Sequence, residues 1–221
     1  MTQYSVFQSG TGLGISGPGS SNSYSGNWAA GLYFKVTSAS QYLYGFYLWR
    51  ADSAQLSSST FALWTVTASG TGSVVPATEV SGSGFTAGAW NYVALSSPYA
   101  LSTGVVYMAV YAYAAGNFLE TKPYFGTGGA YTAGITNGPL TVFSAPVSAG
   151  GTGAQAFGSF YGQGSYSTAG NSASTTLPAA DDGQPNFWID VLIGPAAAPA
   201  TPRPPQPLIV TRPAVSRAAN W

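Results

Sequence analysis

The sequence predicts an all-β fold, a jelly-roll-like antiparallel β-sandwich with long Gly/Ser-rich loops and an extended Pro-rich C-terminal tail. Three observations point to it. Seven short hydrophobic runs are separated by turn residues. The runs are rich in Val, Ile, Thr, Tyr, Phe and Trp, which suit a pleated, half-buried surface. No segment carries a sustained helical period with caps. With 221 residues, 45% of them hydrophobic and 14% aromatic, the chain can bury a core without disulfides or metals.

Tyr4 to Gln8 is a short candidate strand. Gly10 to Asn27 is almost all Gly, Ser, Thr, Pro and Asn and reads as a loop or flexible arm. Residues 1–27 are therefore an N-terminal strand and arm. The sandwich domain spans residues 28–194. Its predicted strands are Trp28–Val36, Tyr42–Trp49, Phe61–Thr67, Trp90–Leu95, Val105–Tyr113, Leu140–Phe143 and Phe187–Ile193. Several alternate. In Leu32-Tyr33-Phe34-Lys35-Val36, Lys35 points away from the even-numbered apolar residues. In Trp188-Ile189-Asp190-Val191-Leu192 the acid sits between apolar neighbours, as on a strand with one wet face. Thr127–Ala180 is weaker. Only Leu140–Phe143 and Phe157–Tyr161 look strand-like there, and the rest reads as long loops over one end of the sandwich.

Residues 195–221 are a separate Pro/Arg tail holding 7 of the 15 prolines. Pro202 to Pro207 predicts extended, polyproline-like backbone. Leu208-Ile209-Val210-Thr211 follows as a short β-prone run that can add to a sheet edge. Arg203, Arg212 and Arg217 can grip acidic or carbonyl groups. With Leu208, Ile209, Val210 and Trp221 they form the candidate partner-binding set.

Charge sharpens this division. Only 5% of residues are charged, against about 25% in an ordinary soluble domain. Residues 1–194 carry Lys35, Arg50 and Lys122 against Asp52, Glu79, Glu120, Asp181, Asp182 and Asp190, a net of −3. The tail's three arginines bring the chain to zero. A neutral, hydroxyl-rich surface favours association, although a secreted module with a Ser/Thr surface fits the composition about as well. Three arginines are too few for a nucleic-acid surface. No apolar run approaches the roughly 20 residues of a membrane helix. Met1 to Ser20 has neither a basic start nor an apolar run, so no N-terminal export signal is expected.

The chain has no Cys and no His. Thiol chemistry, Ser-His-Asp arrangements and the usual zinc and copper ligands are excluded. Gly10-Thr11-Gly12-Leu13-Gly14 lacks a following helix and reads as a plain loop. A glycosidase needs two facing carboxylates, and neither Asp181 with Asp182 nor Glu79 with Glu120 predicts such a pair. Asp181, Asp182 and Asn186 could ligate calcium, but a solvated turn before the last strand is the simpler expectation. No catalytic residue, cofactor or metal is expected. Trp28, Trp49, Trp64, Trp90 and Trp188 fall in predicted strands, mostly as core. Tyr113, Tyr124, Tyr131, Tyr161 and Tyr166 could form a sugar-stacking or protein-contact surface.

The spacing of these blocks resembles a bacterial and phage domain family of unknown function. Gly31-Leu32-Tyr33-Phe34 with Tyr44-Gly45-Phe46-Tyr47 is similar to its opening strands, and Ala62-Leu63-Trp64 to its Ser-Leu-Trp strand. Gly88 to Leu95 with Ser97 to Leu101 resembles its Gly-Trp-x-x-Val-x-Phe-x-x-Pro-Val block. Thr103 to Tyr111 resembles the strand that follows. Asn186 to Val191 resembles its closing Asn-Tyr-Trp-Val-Asp-Val strand. The resemblance covers about residues 28–194 in order, and the polar insert Ala149–Ser174 is longer than the family's. It implies a jelly-roll-like sandwich without catalytic residues, found in surface proteins and phage particles. The tail resembles Pro-rich tails of actinobacterial phage structural proteins.

The expectation is a non-enzymatic virion structural protein: a head decoration, capsid fibre or minor tail protein, located on the capsid or tail surface. Its expected partners are other virion proteins, namely capsid or tail subunits, further copies of itself, and host-surface glycans. The alternative is a carbohydrate-binding or adhesion module of a surface protein.

Overall fold

The computed structural model describes residues 2–8, 10–18, 26–55, 57–68, 71–113, 117–122, 124–125, 129–142, 164–168, 172–181 and 186–196. These residues form twelve strands and no helix. They are β1 (Trp28–Val36), β2 (Gln41–Arg50), β3 (Ser58–Ala68), β4 (Thr71–Val74), β5 (Val80–Ser83) and β6 (Ala89–Leu101). Next come β7 (Tyr107–Tyr113), β8 (Ile135–Asn137), β9 (Leu140–Val142), β10 (Ser165–Ser167), β11 (Ala180–Asp181) and β12 (Ile189–Pro195). All pairings between them are antiparallel. The chain is an all-β sandwich of two sheets. The larger has the order β11-β10-β1-β7-β3-β4, with β5 also on β3 and β9 joining β8 to β1; the smaller is β12-β2-β6.

The strands predicted for the body appear, with shifted ends. Phe157–Tyr161 lies outside the described residues. Strands β4, β5, β8, β10 and β11 escaped the sequence reading because they are two to four residues long and mostly Gly, Ser and Thr, which carry little β signal.

Strand β7 shows why the centre of the larger sheet lacks a wet face. All seven of its residues are buried. Tyr107, Ala109, Tyr111 and Tyr113 pack between the sheets against Phe34, Phe46, Phe61 and Ile189. Met108, Val110 and Ala112 point the other way and pack with Tyr33, Trp64 and Val66 under Ala173 and Leu177. The Trp64 Nε1–H donates to the Ala173 carbonyl at 2.7 Å, which ties residues 172–177 down as a cover.

The smaller sheet stacks side chains in register. Val191, Phe46 and Val93 form an inward row. Asp190, Tyr47 and Tyr92 form the neighbouring row, which must face the other way because side chains alternate along a strand. That face is not simply wet. The N-terminal segment crosses it. Of the strand expected over Tyr4–Gln8, only a bridge between Tyr4 and Ile193 forms, with N–H to carbonyl distances of 2.8 and 2.9 Å. Val6 and Phe7 are then buried, and the Phe7 ring lies parallel to Trp90 at 5.8 Å. Further on, the Trp90 and Trp49 indoles donate to the carbonyls of Ile15 (2.9 Å) and Pro18 (3.3 Å). The expected loop after Gly10 is thus held, through Pro18, against the sheet.

Strand direction defines two ends of the sandwich. Pro195, Gln41 and Leu101 share one end, where Thr2, Tyr4, Thr37, Gly138 and Pro195 line a cavity of about 500 Å3. Trp28, Arg50, Ser58, Ala89 and Tyr113 lie at the opposite end. The ten residues of β2 separate the ends by roughly 30 Å at about 3.3 Å per residue.

Candidate functional site

The end opposite Thr2 and Pro195 gathers small hydroxyl side chains. Ser58, Ser59 and Thr60 open β3 and pair with Ser83, Gly82 and Ser81 of β5. Thr60 also faces Ala112 of β7. Together with Tyr113 these residues line a cleft of about 300 Å3. Six of its eight lining residues carry a hydroxyl, none is charged, and the other two are Gly82 and Ala112. A second cavity of about 480 Å3 shares Ser81, Gly82 and Ser83 and continues to Asn91 and Tyr92 on β6. It runs between β5 and β6, which are the facing edges of the two sheets. Gly82 is required here, since a Cβ would lie 2.6 Å from Val93 Cγ2 and 2.8 Å from the Phe85 ring.

Two hydroxyls on the between-sheets side of the same strands lack a partner. Ser59 is 6% exposed and Tyr113 4%, and neither Oγ nor Oη makes a hydrogen bond. Burial holds the Tyr113 hydroxyl far above its ordinary pKa, with the neighbouring Tyr111 and Glu120 adding to the effect. It therefore stays protonated and can both donate and accept. Thr60, in contrast, is satisfied: its Oγ1 accepts the Ala173 N–H at 2.9 Å and donates to the Ala112 carbonyl at 3.4 Å. Arg50 stiffens the same end by donating to the carbonyls of Asp52 (3.1 Å), Ser53 (3.2 Å) and Phe85.

Beyond the second cavity lies a tyrosine face. Tyr92 is 43% exposed, and its ring centroid is 4.9 Å from that of Tyr47. Its hydroxyl donates to the Tyr44 carbonyl at 3.0 Å. The ring lies across Gly45, where a Cβ would come within 2.8 Å of Tyr92 Cε2 and Oη. Partial burial, with Tyr47 and Tyr44 nearby, pushes the Tyr92 hydroxyl up to about 12.

The tyrosines singled out from the loops do not form an exposed surface. Tyr113 and Tyr124 are buried, Tyr131 and Tyr166 pack half-buried against the core, and Tyr161 lies outside the described residues. Trp49, Trp64 and Trp188 are buried, and Trp28 and Trp90 are partly buried against the core. The calcium arrangement fails at Asn186. It is fully buried, and its Oδ1 accepts the Trp188 N–H at 2.8 Å, supporting a positive φ of 55° at Trp188. Asp182 lies outside the described residues, and among those described no three His, Cys, Asp or Glu side chains gather as metal ligands. Glu79 and Glu120 are held separately, by Ser172 Oγ at 2.6 Å and Lys122 Nζ at 3.1 Å. The Ser172 and Ser174 hydroxyls hold the Glu79 carboxyl below its ordinary value. Arg203, Leu208, Ile209, Val210, Arg212, Arg217 and Trp221 all lie outside the described residues.

Asp190 corrects a further expectation. Its carboxylate has no wet face: it is 0% exposed. Oδ1 accepts the N–H groups of Val6 (2.9 Å) and Val191 (2.7 Å), and Oδ2 that of Phe7 (2.7 Å). Burial pushes the carboxyl up to about 6, against the pull of those donors and of the Gln8 N–H.

The sequence reading missed the cleft because it searched for charge and aromatics. A usable signal was present in the paired runs Ser57-Ser58-Ser59-Thr60 and Ser81-Gly82-Ser83-Gly84. Comparison with known proteins finds no matching family model, no matching curated protein and no matching solved structure.

Proposed function

We propose that this chain is a non-enzymatic particle protein, a head decoration, capsid fibre or minor tail protein, anchored by its tail and displaying the sandwich on a virion surface. The observation that carries this reading is the separation of the two ends. Pro195 closes β12 beside Gln41 and near Thr2, so the chain passes into the Pro/Arg segment at the terminal end. The end with the hydroxyl-lined cleft lies the length of the sandwich away. The near absence of charge and the net zero balance add to it, since such surfaces suit close packing with neighbours. Capsid or tail subunits and further copies of the chain are the partners this reading implies.

Deletion of residues 197–221 tests it, because the cut leaves all of β12 in place. The truncated chain should fold with an unchanged melting midpoint and be missing from purified particles that contain the full-length chain. Normal incorporation of the truncated chain would sink the anchoring role. Absence of the full-length chain from any particle would sink the wider reading.

The alternative of a carbohydrate module working through tryptophans and loop tyrosines is not favoured, because those of the rings that are described are buried in the core or packed half-buried against it.

A further inference from the structure

We infer that the tyrosine face of the smaller sheet is the docking surface for the chain's own proline segment, Pro202 to Pro207. This inference does not rest on the particle reading, since a tail can fold back on its own domain in a particle protein and in a free module alike.

The surface leads directly to the start of the tail. Tyr92 is the one large aromatic side chain left exposed among the described residues. Its ring lies beside Tyr47, and its hydroxyl donates to the Tyr44 carbonyl. The half-buried Tyr44 in turn donates from its own hydroxyl to the Pro195 carbonyl at 2.5 Å. The first of the tail's prolines is thus already bound by a tyrosine of this face.

The tail's sequence supplies the matching occupant. Pro202 and Pro205 are three residues apart, and so are Pro204 and Pro207. Polyproline backbone has three residues per turn and no internal hydrogen bonds, so each pair stands on one face and the carbonyls are free to accept. Such pre-extended segments dock on aromatic surfaces at low entropic cost, and phenolic hydroxyls can donate to their carbonyls. The segment lies outside the described residues, but its tether fixes its reach. Seven residues lead from Pro195 to Pro202, about 22 Å at 3.1 Å each. Gly194 pairs with Tyr42 and Asp190 with Tyr47, so the Tyr47–Tyr92 row lies five residues back along β2, roughly 17 Å.

Charge agrees with this placement. The tail carries three arginines and no acid, against a net of −3 in residues 1–194. The body's own cations are engaged elsewhere: Lys35 lies on β1, Arg50 bonds three carbonyls and Lys122 is paired with Glu120. Arg203 therefore meets tyrosine ring faces, which attract a guanidinium.

The chain has no Cys, so Gln206→Cys in the full chain takes a single nitroxide label between the prolines. Tyrosine ring signals are recorded by nuclear magnetic resonance with the label oxidised and then reduced. Tyr44, Tyr47 and Tyr92, assigned through Tyr44→Phe, Tyr47→Phe and Tyr92→Phe, should lose their signals in the oxidised state. Tyr33, on the far side of the larger sheet, should keep its own. The labelled chain that also carries Pro202→Ala, Pro204→Ala, Pro205→Ala and Pro207→Ala should recover all three signals. Signals unaffected by the label overturn the proposal. Equal loss in the proline-free chain means a tethered tail that does not dock, and overturns it as well. A nitroxide-bearing chain mixed with an isotope-labelled chain lacking the nitroxide should leave the signals intact. Loss in that mixture puts a second copy's tail on the face and overturns the assignment to the chain's own.

Discussion

The Asp190 carboxylate accepts the Phe7 N–H at 2.7 Å across 183 residues of sequence. With Val6 and Val191 it forms a closed set of N–H donors around one buried anion. The N-terminal segment is therefore fastened to the last strand by a buried carboxylate whose partners among the described residues are backbone N–H groups. Asp190→Asn keeps the shape and turns one acceptor into an N–H2 that faces donors. We expect it to cost on the order of 3 kcal/mol, as breaking a buried charged network does. The midpoint of urea unfolding measures this, and a loss below about 0.5 kcal/mol would show that the N–H groups find water instead.

The same carboxyl sets a pH dependence with an unusual sign. Its value is about 6 in the folded protein against 3.8 ordinarily. Between those values the native state holds a proton that the unfolded chain has released. Stability therefore falls as pH rises through this window. The contribution is fully present below about pH 4 and lost above about pH 6. At about 1.4 kcal/mol per pKa unit its size is on the order of 3 kcal/mol. Melting midpoints should rise as the buffer is taken from pH 7 to pH 5, and Asp190→Asn should flatten that slope. A wild-type midpoint that falls over the same interval would contradict the shift.

Asp190 also marks where the sequence was legible and where it was not. Local patterns fixed the strand Phe187–Ile193, because Trp, Ile, Val and Leu have few other uses at that density. The same patterns placed Asp190 on a wet face, since alternation reports the side of a strand and not what covers it. The cover comes from Val6 and Phe7, in a short apolar segment whose local pattern does not say which sheet face it crosses. The cleft was hidden for a related reason. Ser58 meets Ser83 and Thr60 meets Ser81 through β3–β5 pairing, and Ala112 joins Thr60 through β3–β7 pairing. Serine-rich stretches read as loops when each is taken alone. The tryptophans were placed well because large aromatic area drives burial whatever the topology.

Phe7 couples the N-terminal segment to the aromatic cluster. Its ring is 0% exposed and lies 5.8 Å from Trp90, 5.8 Å from Trp188 and 6.1 Å from Tyr124. Phe7→Ala should cost about 3–5 kcal/mol. It should also shift tryptophan emission to the red as water reaches Trp90 and Trp188. Emission unchanged from the wild type, at equal denaturant, would mean that neighbouring side chains refill the space.

Gly45 holds Tyr92 against the sheet. An added methyl would meet Tyr92 Cε2 and Oη at 2.8 Å and also the Val93 carbonyl. Gly45→Ala must therefore lift the ring and shift the paired strand, at a cost of about 1–3 kcal/mol. The lifted ring loses its partial burial, which is the largest cause of its raised pKa. Its hydroxyl should then titrate below the present value of about 12 and move toward the ordinary 10. Ultraviolet titration of Gly45→Ala against Gly45→Ala/Tyr92→Phe isolates that one tyrosine. The double variant should also recover little stability, because the Val93 carbonyl still meets the methyl. Full recovery would put the whole strain on the Tyr92 hydroxyl and contradict the backbone contact.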